Sequence, residues 1–298
     1  MKKLLKTHHF LSGLKPEDIR WLLEFGMPKK QGTIYDLRAS GFRELPAPVF
    51  FLSTGRCGTK WFSGLLEKDR AFKVLHDPAP SLGAQGKAIY EYYVQKNRAI
   101  NAGLMLFGKE IFLAGREGYL RHSFKSGRRL FETNNHITFF APMLAALFPQ
   151  AKFIHLYRHP GEFVRSGLRR KYYQGSPEDA RRIIPFPGEK WKNLQIIEKI
   201  AFLWYETNRF IEEFKGSVAG DRILDFNFNQ LNMQTVRNLL DFSGCGNVSA
   251  KRIQQRLHRP VNVQKNVEYP HYQDWPEEDK MQLRSICRPL AEKYGYAL

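Results

Sequence analysis

Five short apolar runs, at residues 49–53, 72–76, 129–133, 152–157 and 222–226, alternate with longer stretches of helical spacing, and this alternation restricts the chain more than any other feature. The runs are rich in aromatic and β-branched residues and have the length of buried strands. The intervening stretches, at 61–68, 139–148, 161–173 and 191–214, repeat their apolar residues at the helical interval. Strands alternating with helices make a parallel sheet covered on both faces, so the expected class is α/β: a parallel sheet flanked by helices, in three layers. Ligands of such sheets bind outside the carboxyl ends of the strands, which directs attention to the residues just after each run.

Two segments flank this core. Residues 1–47 contain a short helical pattern at 16–25 and close on Pro46-Ala47-Pro48, and they read as a helical extension packed on a main domain of residues 48–298. The tail from residue 276 opens Pro276-Glu277-Glu278-Asp279 and continues through Leu283, Ile286 and Leu290, the pattern of a closing helix.

Charge and composition narrow the partners. With 47 Lys and Arg against 29 Asp and Glu, the net charge of +18 draws anionic ligands. The basic residues are spread along the whole chain without a zinc-finger or RNA-binding signature, so nucleic acid is not the expected partner. The longest apolar stretches, 49–52 and 139–148, fall short of the roughly 20 residues of a membrane span. At the amino terminus a basic start is interrupted by His8, His9 and Lys15. A cytoplasmic protein without a transmembrane segment is expected, with peripheral membrane contact left open. Cys57, Cys245 and Cys287 are odd in number and irregular in spacing, which suits neither a disulfide framework nor a thiolate zinc site.

After the first run, Ser53-Thr54-Gly55-Arg56-Cys57-Gly58-Thr59-Lys60-Trp61 passes from strand to amphipathic helix through two glycines. Glycines let the backbone turn tightly, and the amides at a helix start point toward an anion. Arg56 and Lys60 add positive charge. The segment is not a Walker A loop: its glycines lie only three apart, and Trp61 stands where a magnesium-binding hydroxyl would follow the lysine.

The fourth run ends in Tyr157-Arg158-His159-Pro160 and leads into a helix bearing Ser166. Arg158 sits at the carboxyl end of that strand, where its planar fork suits a phosphate, and Pro160 suits a first helical turn.

These two elements resemble the sulfotransferase family. Its 5′-phosphosulfate loop commonly reads Pro-Lys-Ser-Gly-Thr-Thr-Trp or has Gly-Arg at the start, and here Gly55-Arg56-Cys57-Gly58-Thr59-Lys60-Trp61 stands in its place, with Cys57 and Lys60 departing from the common serine and threonine. The family's 3′-phosphate motif has an arginine followed eight residues later by a serine, a spacing kept by Arg158 and Ser166. The resemblance covers residues 48–245. It implies a fold like the P-loop nucleoside kinases, 3′-phosphoadenosine 5′-phosphosulfate (PAPS) as sulfuryl donor, 3′-phosphoadenosine 5′-phosphate (PAP) as product, and no metal. By region alone it suggests Lys265 for the lid over the 3′-phosphate. The activity implied is sulfuryl transfer to a hydroxyl or amine of a glycan, lipid or small-molecule acceptor. A P-loop kinase-like phosphotransferase and a noncatalytic nucleotide- or polyanion-binding protein are the alternatives.

For the base, His76 and Asp77 end the second run, and a histidine accepts a proton near neutral pH. Glu132, ending the third run, is the second candidate, because a carboxylate at a buried strand end is costly unless paired or used. Arg56 and Lys60 are assigned to the departing oxygen. His155 and His159 straddle a strand end, so they do not share a helix face for a metal. The aromatic and basic segments 80–121 and 170–192, with Tyr172, Tyr173, Arg181 and Arg182, favour an anionic or glycan acceptor.

Overall fold

The computed structural model describes residue 42 and residues 45–185, 188–259 and 269–298. Most of the proposed amino-terminal extension, and Lys265, lie outside the described residues.

Five strands, β1 (Val49–Leu52), β2 (Phe72–Leu75), β3 (Arg129–Glu132), β4 (Lys152–Tyr157) and β5 (Ile223–Asn227), form one sheet in the order β2-β3-β1-β4-β5. Every neighbouring pair is parallel. β1 is central and wholly buried, and its period of two divides between the faces: Phe50 and Leu52 join one apolar core, Val49 and Phe51 the other. A continuous apolar strand of this kind is what burial on both faces demands.

The helices supply the outer layers. On the Val49 and Phe51 side lie α1 (Thr59–Leu66), which buries Trp61, Phe62, Leu65 and Leu66, and two later helices. On the Phe50 side lie α2 (Gly83–Gln95), α3 (Ala102–Ser126), α4 (Ala141–Leu147), α5 (Pro160–Leu168) and the long α6 (Ile196–Lys215). The later pair on the first side are α7 (Met233–Phe242) and α8 (Ala250–Leu257), and α9 (Glu277–Lys293) closes the chain against α6. In that closing contact Leu283, Cys287 and Ala291 are buried in the same core as Trp204. Just before β1, Phe42 packs on Phe148 at 5.0 Å between ring centroids.

The connection after β1 runs to one edge of the sheet and β4 returns on the other side of β1, which makes β1 the topological switch point. Leu52 is in register with His155, so the chain leaving β1 at Ser53 and the chain leaving β4 at Arg158 emerge side by side. The fold thereby brings together two motifs a hundred residues apart.

Two helices escape the apolar spacing in the sequence. α2 and α3 lie in the segment read only as variable and basic, and α3 alone runs 25 residues. Its Gly103, Gly108, Gly115 and Gly118 and scattered charges blur the helical period. One of those glycines is there for packing: a Cβ at Gly108 would lie 2.7 Å from the Met143 side chain.

Candidate active site

The loop after β1 turns tightly, with three left-handed positions among four residues. Gly55, Arg56 and Gly58 all have left-handed backbone, with φ of 74°, 59° and 97°. Both glycines are crowded: a Cβ at Gly55 would meet the Asn135 side chain at 3.0 Å, and one at Gly58 the ring of Phe228 at 2.0 Å. Among the described residues, the amides of Arg56, Cys57, Gly58, Thr59 and Lys60 find no acceptor, whereas those of Ser53 and Gly55 are taken by Thr138 Oγ1 and Ser53 Oγ. Five successive donors at a helix start form a cradle of the kind that suits an anion.

Arg56 is a non-glycine residue in a conformation that costs about 1–2 kcal/mol. It is held from two sides: Arg158 Nη1 donates to the Arg56 carbonyl at 3.0 Å, and Arg56 Nε donates to Ser166 Oγ at 3.2 Å. The buried indole of Trp204 donates to the Arg158 carbonyl at 3.0 Å and so fixes the second motif to α6. Burial, and then the guanidinium groups of Arg170 and Arg158, push the Arg56 pKa down. Positive charge of that density, offset by Glu162 3.5 Å from Arg158, favours an anion at this point.

A cleft of about 650 Å³ opens beside the loop. Gly55, Arg56 and Thr59 line it on one side and His76 and Asp77 on another. Thr133 Oγ1 lies 3.0 Å from His76 Nδ1 and 3.3 Å from the Leu75 carbonyl; with the hydroxyl donating to that carbonyl, the Nδ1 contact is an N–H donation. That tautomer leaves Nε2 with its lone pair. Burial chiefly, with the positive charges of Lys60 and Arg56, pushes the His76 pKa below its ordinary value, with Asp77 opposing. A neutral imidazole with a lone pair is equipped to take a proton.

The remaining expected site residues fall elsewhere. Lys60 is exposed on the first turn of α1 and does not line the cleft, while its carbonyl accepts from Arg256 at 3.0 Å. Trp61 is buried, and its indole donates to the Arg256 carbonyl at 3.2 Å. Cys57 is fully buried, with Sγ 3.1 Å from Thr54 Oγ1 and 3.0 Å from the Gly55 carbonyl, and burial raises its pKa. Glu132 does not reach the cleft. It and Arg116 are both fully buried, joined at 2.7 Å and by two further bonds of 3.0 Å, and Asn134 also donates to it. The cost of burying that carboxylate, which made it a candidate, is met by an arginine of α3.

Other cleft residues were not singled out in the sequence: Asn134, Asn135 and His136 after β3, Lys87 on α2, and Arg170. The asparagines and His136 follow a strand's carboxyl end, the signal that pointed to His76.

Of the two histidines considered for a metal, His155 is buried in β4, with Nδ1 2.9 Å from Asp225 and Nε2 2.9 Å from Asn208 Oδ1. Glu212 completes a three-residue cluster with His155 and Asp225, but the ammonium of Lys215 lies 2.5 Å from each carboxylate and that of Lys293 2.6 Å from Glu212. Protein cations already neutralise these oxygens.

The model of the sulfotransferase family matches residues 48–246. The chain belongs to the sulfotransferase family. Among solved structures it is similar to the sulfotransferase STF9 from Mycobacterium avium, at 14% identity and a TM-score of 0.50, covering 89% of this chain and 81% of that one. The sulfotransferase domain of the Synechococcus PCC 7002 olefin synthase matches at 16% identity and 0.44, covering 85% of this chain and 96% of that one. The sulfotransferase domain from the curacin biosynthetic pathway matches at 15% and 0.47, over 85% and 99%. STF9 shares the fold at that similarity. No curated protein matches the chain. No helix among the described residues is long and apolar enough to cross a membrane.

Proposed function

We propose that the chain transfers a sulfuryl group from PAPS to a hydroxyl or amine of an acceptor, with His76 as base and with the loop 55–61, Arg158 and Ser166 as the donor site. The observation that carries this reading is the run of five unpartnered amides from Arg56 to Lys60, tied through Arg56 to Arg158 and Ser166. The residues fit the donor: a cradle of N–H groups for the phosphosulfate and a guanidinium fork at the neighbouring strand end for the 3′-phosphate.

PAPS supplies an activated sulfuryl group on a phosphate leaving group. Each step of the chemistry falls to a residue of this chain. The loop amides and Arg56 hold the phosphosulfate oxygens and stabilise the charge left on the departing phosphate as the S–O bond to it breaks. His76 Nε2 takes the proton from the acceptor O–H or N–H as that atom bonds to sulfur. Thr133 holds the imidazole in the tautomer this requires. Lys60 acts through its field, which keeps His76 in the base form. Lys265 is retained as a lid residue by region. None of these roles needs a metal ion.

Calorimetry separates this reading from a kinase. PAP binds with the same affinity with and without magnesium, and ATP binds much more weakly in either condition. Magnesium-dependent binding of ATP in preference to PAP would instead identify a phosphotransferase.

A further inference from the structure

The cleft holds more positive charge than the donor site uses. Beyond Arg56 its wall carries Lys87, Arg169, Arg170, Arg181 and Arg182, against Asp77 and Glu178. Some of these cations are committed. Arg182 stacks on Tyr172, 3.7 Å from the ring centroid, and pairs with Asp179. Lys87 pairs with Glu91 at 3.2 Å. Arg170 and Arg181 differ: both are exposed along the cleft, and neither side chain makes a hydrogen bond or ion pair with any described residue.

Their placement is specific. Arg170 follows α5, close enough for its charge to act on Arg56. Arg181 ends the short 3-10 helix Pro177–Arg181 and lies over the first turn of α2. There a Cβ on Gly83 would come within 2.9 Å of Arg181 Cδ and 3.3 Å of His136 Nδ1. That His136 nitrogen is buried and has no partner of its own. Two uncommitted guanidinium groups and His136, with its buried unpartnered nitrogen, thus line the same cleft as His76, whereas Arg158 and Ser166 do not line it. Concave walls of one sign focus the field on whatever enters. A guanidinium fork selects a planar carboxylate or a tetrahedral oxyanion by paired hydrogen bonds.

We propose that the acceptor is itself an anion, bearing a carboxylate, sulfate or phosphate group that Arg170 and Arg181 grip while its hydroxyl reaches His76. This rests on the reading of the cleft as a sulfotransferase acceptor site, and it sorts acceptors by charge before shape. Neutral alcohols leave two arginines without a counterion.

The test uses the full chain saturated with PAP, which fills the donor site, at low ionic strength. It is titrated with glucose 6-phosphate, glucuronate and glucose. The two anionic sugars, or one of them, bind at least about tenfold more tightly than glucose, the worth of one charge-assisted hydrogen bond or more. The tighter of the two tells whether the clamp is made for a phosphate-like group or a carboxylate. Replacing both arginines (Arg170→Ala with Arg181→Ala) removes the preference, with PAP kept saturating because loss of the Arg170 charge beside Arg56 weakens it. Both side chains are exposed, so the fold is not at stake, and a melting curve confirms it. Equal or absent binding of all three sugars, or a preference that survives in the double variant, overturns the proposal. Failure of PAP itself to bind would instead strike the donor assignment.

Discussion

Arg158 reaches across from the end of β4 and donates through Nη1 to the main-chain carbonyl of Arg56 at 3.0 Å, while the Arg56 side chain returns over the same gap to Ser166. Each motif therefore holds the other in shape. The strained turn at Arg56 is supported from the strand end that carries Arg158, and parallel register between β1 and β4 brings the two within reach.

The pH dependence of turnover follows from His76. Its base form is required, and burial together with Lys60 and Arg56 lowers its pKa, so kcat/KM rises with pH through an inflection below 6.5 and is level across neutrality. His76→Ala costs about 100- to 10,000-fold in turnover with PAP affinity unchanged. An inflection above 7 contradicts the assignment.

Glu132 is predicted to be a structural residue. Glu132→Gln leaves the Arg116 guanidinium buried without its counterion, which costs about 3–5 kcal/mol. Urea denaturation reads this as a lower midpoint, and the folded fraction at low temperature keeps its turnover. Full stability with lost turnover would return Glu132 to the chemistry.

Gly58 tolerates no side chain. Gly58→Ala puts a methyl group into the Phe228 ring at a φ of 97°, so PAP affinity falls at least about tenfold as the cradle distorts. Calorimetry of the variant at wild-type affinity would show that the loop does not meet the donor.

Cys57 stands where a serine is common in the family, and its surroundings suit either. The buried thiol, its pKa raised, resists iodoacetamide in the native protein. Cys57→Ser keeps the bonds to Thr54 and Gly55 and binds PAP within a few-fold of the parent.

All five strands stood in the sequence to within a residue at each end: β1, buried on both faces, is continuously apolar, and the more polar β5 still carries Ile223, Leu224 and Phe226. The same apolar runs pointed to Arg56, His76 and Arg158, since ligands of such sheets bind beyond the strand ends. α3 was hidden because its glycines, among them Gly108 packed on Met143 of α4, erase the periodicity. Glu132 was ambiguous for a related reason: its partner Arg116 lies in that unseen helix, and a buried carboxylate looks the same in sequence whether it is paired or catalytic. The basic segment 170–192 already pointed to an anionic or glycan acceptor, and the fold sets its Arg170, Arg181 and Arg182 along the cleft that His76 and Asp77 line.

The account turns on whether the two motifs form a single donor pocket, and the 3′-phosphate reports that most directly. Affinities of PAP and of adenosine 5′-phosphate, which lacks the 3′-phosphate, are to be measured for the parent and for Arg158→Ala. Loss of the charge-assisted pair weakens PAP about 10- to 150-fold, while adenosine 5′-phosphate changes only slightly, through the slackened Arg56 turn. Equal losses for both nucleotides, or none for either, would contradict it.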